Sequence, residues 1–195
     1  MRLWHWLNAA LVSGQLLTIL FLKVIVQPRS AVTELQQRQP DFPVEQGRAL
    51  SRIISHRIWD WHIAMGLALA ACWLGWTLMQ ALDPAGRRFG ARLRATVQRA
   101  GLLPPAERSG ARQALFAKVT YAVFYLAVTV MVVTGLALTW ADDVAWLGNV
   151  EHSVKEVHNA TMFVIIAYII VHVVGVVRAE LTKDKGLISR MVSGE

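Results

Sequence analysis

Thiol chemistry is almost absent from this chain. Its single cysteine, Cys72, falls inside an apolar run, so no disulfide can form within the chain and no Cys-x-x-Cys-His motif exists to attach a haem covalently. Charge is scarce as well: 17% of the 195 residues are charged and 55% are hydrophobic, with a mean hydropathy of +0.41. A soluble fold of this length would carry more apolar surface than it could bury, so the composition points to a membrane protein. No internal repeat and no low-complexity tract divides the sequence, and residues 1–195 read as one membrane domain.

What is present is four apolar stretches long enough to cross a hydrocarbon core: Leu3 to Leu22, Trp61 to Leu82, Val119 to Trp140 and Val157 to Val177. Within each, histidine is the only ionisable side chain apart from Cys72 and tyrosine. The fold class expected is all-α, an integral membrane four-helix bundle. The first stretch outruns the apolar core of a cleavable signal and ends in Phe21, Leu22, Lys23 and Val24 without an Ala-x-Ala-like site, so it is read as retained.

The formal charge of +7 invites a nucleic-acid reading, but the charge is distributed by loop. Residues 83–118 carry Arg87, Arg88, Arg92, Arg94, Arg99, Arg108, Arg112 and Lys118 against Asp83 and Glu107. Residues 141–157 carry Asp142, Asp143, Glu151 and Glu156 against Lys155. The positive-inside rule therefore puts the basic loop and both termini in the cytoplasm of a bacterial inner membrane, with no nucleic-acid partner. Residues 27–57 then lie outside, although their arginines outnumber their acids. In that segment Pro28, Pro40, Pro43 and Gly47 predict irregular structure followed by a short helix from Val44 to Ser55. In the basic loop, Phe89, Leu93 and Val97 at fourfold spacing predict either an amphipathic helix over Arg87 to Ala100 on an anionic lipid surface or a solvated linker, ended by Gly101 and Pro104-Pro105.

Polar groups inside a bilayer are costly, so intramembrane histidines are functional candidates. His158 and His172 lie 14 residues apart in the last stretch, which is about 40° short of four helical turns and about 21 Å of rise. Both leave nearly one face, at depths no single metal ion spans. With the chain starting inside, His5 opens the first stretch level with His172, and His62 opens the second level with His158. Topology alone thus makes two pairs, one in each leaflet. Such a pair can hold a small metal ion, hydrogen-bond to itself, or clamp a porphyrin iron from both sides. Zinc sites recruit further ligands, and no cysteine or carboxylate is found at matching depth.

A macrocycle also needs room, and Gly66, Gly175 and Gly14 remove side chains near these positions, although glycine in such helices more often serves plain packing. His56 and His152 each lie six residues before a candidate and are read as surface residues, His56 being the rival to His62. Arg57 near the outer pair, and Arg2 and Arg178 near the inner one, stand where they would neutralise haem propionates or, equally, snorkel to the interface. Asn8, Arg2 and Arg178 are candidates for a quinone pocket. Trp4, Trp6, Trp59, Trp61, Trp140 and Trp146 at the span ends fit an aromatic belt.

Arg2 to Asn8, Arg57 to Gly66 and, above all, His158 to Met162, His172, Arg178 to Glu180 and Leu187 to Gly194 resemble the cytochrome b subunit of membrane-bound nickel–iron hydrogenases. That subunit belongs to a broader group of cytochrome b561-like and formate-dehydrogenase gamma-like proteins. The resemblance covers the four helices but not the loops. It implies two b-type haems, one held by His5 with His172 and the other by His62 with His158, and a quinone as electron acceptor or donor. It also implies a partner, either a catalytic dehydrogenase or hydrogenase subunit or a c-type cytochrome. Two alternatives stand beside it: a stand-alone oxidoreductase that takes electrons from a small external donor such as superoxide, steered by Arg48, Arg52 and Arg57, and a haem-free anchor in which the histidines only pack.

Overall fold

A computed structural model describes residues 2–26, 28–41, 43–84, 89–102, 108–182 and 186–194. Among them the chain is predominantly helical and contains no strand. Helix α1 runs Arg2–Leu20 and continues as a π-helical turn over Phe21–Ile25, closed by Val26 N donating to Phe21 O at 2.9 Å. Then come α2 (Pro28–Arg38), α3 (Val44–Leu82), α4 (Phe89–Leu102), α5 (Arg108–Thr139), α6 (Ala145–Thr182) and the short α7 (Leu187–Val192). Four of these, α1 with its π turn, α3, α5 and α6, are long and apolar enough to cross a membrane, as the sequence predicts.

The helices overrun their apolar stretches. Helix α3 begins at Val44, so the short helix expected over Val44 to Ser55 is the uninterrupted start of the second span. At 39 residues it rises about 58 Å, roughly twice the hydrocarbon thickness. Helix α6 likewise starts at Ala145 and absorbs most of the acidic loop. Hydropathy marks only the part of a helix that lipid can cover; Glu45, Gln46, Arg48, Ala49 and Leu50 are strong helix formers that carry the backbone on into water. The irregular stretch expected after residue 27 is also partly helical, because Pro28 opens α2 at the position where a fixed φ and a missing N–H cost nothing. At the start of α3 the Pro43 carbonyl accepts from Gln46 N and Gly47 N, at 3.1 and 3.3 Å.

The basic loop does form a helix, α4, anchored by Phe89 against Tyr121 of α5 with ring centroids 5.0 Å apart. Lys118 of α5 donates to Arg92 O at 3.3 Å and to the Thr96 hydroxyl. Gly101 falls within α4, which ends at Leu102. Arg87, Arg88 and the Pro104-Pro105 stop lie outside the described residues.

The chain divides into two compact units, residues 1–71 and 72–195, with the boundary inside α3. In the first, α1 and the beginning of α3 meet through side chains: a Cβ added at Gly14 would stand 2.6 Å from Met65 Sδ, and one at Gly66 would stand 3.1 Å from Gln15 Nε2. In the second, α5 and α6 pack along each other, with Ala127, Val128 and Val132 buried from one and Met162 and Ile165 from the other. The end of α3 is tied to α5 by Trp73 Nε1 donating to Thr129 Oγ1 at 3.0 Å and by a Thr77–Tyr125 hydroxyl pair at 3.1 Å. Such interhelical bonds in a membrane contribute roughly 0.6 kcal/mol each, enough to fix rotation but not to drive association.

Helix α7 is set by Glu180. Its carboxylate accepts from Gly186 N at 2.8 Å and Ile188 N at 2.9 Å, donors that the start of α7 leaves without an intrahelical partner. Gly186 makes the turn at φ +84°, a left-handed conformation that a side chain would strain. Glu180→Ala is expected to free residues 186–192 while leaving the spans intact. Hydrogen exchange would show it as lost protection at Ser193 and Arg190, whose amides close α7 onto Ser189 and Gly186.

Candidate cofactor site

Each unit contains two of the four candidate histidines, and in each the two are held far apart. In residues 1–71, His5 sits on the first turn of α1 beside Trp6, the rings edge to face at 5.4 Å. His62 lies on α3, but its Nδ1 is 2.8 Å from Thr18 Oγ1 on α1. Thr18 is 13 residues beyond His5 on the same unbroken helix, so the level of His62 is about 20 Å along α1 from that of His5. In residues 72–195, His158 and His172 share α6 without a break, which confirms the helical spacing assumed from sequence. Within each unit, taken by itself, the two histidines are therefore separated by roughly 20 Å along a helix axis.

His62 and His158 share one feature: the Nδ1 of each faces a threonine hydroxyl on a neighbouring helix. Thr18 Oγ1 donates to Gln15 O at 2.7 Å, and Gln15 Nε2 donates to His62 O at 2.8 Å, so one turn of α1 grips both ring and backbone of the histidine. Trp59 closes on the ring edge at 5.4 Å. For His158, Nδ1 lies 2.8 Å from Thr134 Oγ1 of α5, which donates to Val130 O at 2.6 Å. A Cβ added at Gly135 would stand 3.4 Å from His158 Cε1, at contact distance, so the ring lies against α5 beside Gly135. His172 stacks on an aromatic ring: it is nearly parallel to Tyr168, at 10° and 5.7 Å, and Tyr168 stacks on Phe124 of α5 at 4.3 Å.

The remaining candidates fall around these four. Gly66, one turn after His62, makes space for Gln15, and Gly175 has open space where its Cβ would be. Asn8 Nδ2 donates to Trp4 O at 2.8 Å within its own helix. Arg2, Arg57 and Arg178 are exposed at helix ends or on helix extensions. His56 is exposed, and His152 makes an exposed contact with Glu156 at 3.4 Å, both in keeping with surface roles. Sequence reasoning missed Thr18, Thr134 and Gly135. Among the described residues no three His, Cys, Asp or Glu side chains converge, so the donor set does not suit a bare metal ion with several protein ligands. Two imidazoles whose Nδ1 faces a threonine hydroxyl would suit a porphyrin iron, for which the protein would need to supply only histidine nitrogens.

Four helices long and apolar enough to cross a membrane, with histidines within three of them, fit the class of membrane cytochromes. The family model described as prokaryotic cytochrome b561 matches residues 1–194, nearly the whole chain. The chain belongs to that family: it is a multi-pass prokaryotic membrane protein that binds haem b and transfers electrons. No curated protein and no solved structure matches it.

Proposed function

We propose that this chain is a dihaem subunit of a larger oxidoreductase, passing electrons between a partner redox protein and the quinone pool of the bacterial inner membrane, with both termini cytoplasmic. His62 and His158 hold the haem nearer the outer surface, and His5 and His172 the haem nearer the cytoplasm. The observation that carries this reading is the shared spacing. Each unit separates its two histidines by roughly 20 Å along a continuous helix, so neither unit can supply both ligands of one iron, and the equal spacing supports pairing across the units.

Held by two histidines each, b-type haems would supply one-electron transfer and would leave oxygen or substrate no place to bind. The chain's own residues then set where charge is tolerated. Arg57 neutralises propionates on the outer side, Arg2 and Arg178 on the inner side, and Asn8 lies among donors for a quinone carbonyl beside His5. The partner is a hydrogenase-like or other dehydrogenase subunit, or a c-type cytochrome, docking on the outer extensions of α3 and α6. The test is a pyridine haemochrome measurement of haem per chain on the purified protein, with a redox titration of the same sample. Two b haems per chain titrating as two one-electron steps is the expected result. One haem or none would sink the reading.

A further inference from the structure

We propose that Thr18 and Thr134 are positioning residues for the haem shared by His62 and His158: each fixes the tautomer and the ring orientation of one ligand. The proposal rests on the ligand assignment given under the proposed function. Its own basis is the path of the hydroxyl hydrogens. A threonine hydroxyl has one hydrogen to donate. Thr18 gives it to Gln15 O and Thr134 gives it to Val130 O, and a carbonyl can only accept. Each Oγ1 must therefore face Nδ1 as an acceptor at 2.8 Å, which puts the ring proton on Nδ1 and, in the neutral ring that a ligand requires, leaves the lone pair on Nε2. A metal-binding histidine needs its lone pair on the ligating nitrogen and its other N–H held by a second group.

The arrangement occurs twice, on different helices in different units, and at the two histidines assigned to one iron. His152 instead makes its contact with a carboxylate at the surface. Bonds from threonine to its own helix carbonyls are common in apolar helices and by themselves say nothing of a ligand; the histidine on the other side of each hydroxyl makes the difference. Because the acceptor is a neutral hydroxyl, it raises imidazole basicity less than a carboxylate would and leaves the ferrous state correspondingly easier to reach.

The experiment uses the full chain in detergent, with Thr18→Val, Thr134→Val, Thr18→Ser and Thr134→Ser, and reads midpoint potentials, the low-spin ferric electron paramagnetic resonance spectrum and haem retention on dilution. Valine keeps the shape and deletes the acceptor. Each valine variant is expected to raise the potential of the same one haem, to shift that haem's resonance, and to weaken its retention about 10- to 100-fold, with serine restoring all three. If the threonines serve only packing, valine will leave both haems unchanged and serine, which lacks the methyl, will be the disturbing change; that result overturns the proposal. So does a pair of valine variants that act on different haems. His62→Ala and His158→Ala are measured alongside: if these leave the spectra untouched, the ligand assignment itself has failed, whereas a haem lost in them with silent valine variants removes only the role of the threonines.

Discussion

His62→Ala is expected to lower the haem content from two per chain to one, or to leave the second haem high-spin, and His158→Ala to produce the same spectrum. The equivalence of the two is the sharper part of the expectation, since they lie 96 positions apart and in different units. No thioether link is available to retain a haem that has lost a ligand, because Cys72 is the only cysteine. On the proposed arrangement, the two histidines and the fit of the porphyrin would hold it alone. His56→Ala is the control: six residues from His62 on α3 and exposed, it should leave two low-spin haems. Reduced-minus-oxidised difference spectra and a pyridine haemochrome assay read all three variants. Two low-spin haems surviving in His62→Ala, or one lost in His56→Ala, would move the ligand to the other histidine.

The spans and the four histidines were legible in the sequence because both are extremes of composition. A run of some 20 apolar residues has few alternatives to a membrane helix, and a histidine within one stands out. What was not legible follows from weaker signals. The lengths of α3 and α6 depend on helix propensity and on contacts outside the bilayer, so their polar first turns, Val44 to Ser55 and Ala145 to Glu156, read as a separate helix and a loop. Thr18 and Thr134 escaped notice because threonine is ordinary in apolar helices. Depth arithmetic would have found the first of them: 13 residues beyond His5, it lies about 20 Å into the bilayer, at the end of the span where His62 enters. Gly135 had no such marker, since only the rotation of α5 against α6 shows that it faces His158.

His172→Ala should remove the other haem and, with it, the exit of electrons to quinone. On the proposed arrangement a donor at the outer surface still reduces the haem held by His62 and His158, so that haem is expected to become fully reduced and stay so, while quinone reduction falls to the uncatalysed background. The two levels lie roughly 20 Å apart along α6, and the quinone candidates Arg2, Asn8 and Arg178 all lie near the ends of α1 and α6 where His5 and His172 sit. His5→Ala should behave in the same way. Tyr168→Phe keeps the ring that stacks on His172 and on Phe124, so it should leave both haems in place. Tyr168→Ala removes that support and is expected to disturb only the spectrum of the His5 and His172 haem. The decisive measurement is stopped-flow reduction of purified His172→Ala by an external reductant, with haem absorbance and quinol formation followed together. Rapid haem reduction without quinol would support an obligatory path through the second haem, and undiminished quinol formation would place the quinone beside His62 and His158 and reverse the assignment of the two levels.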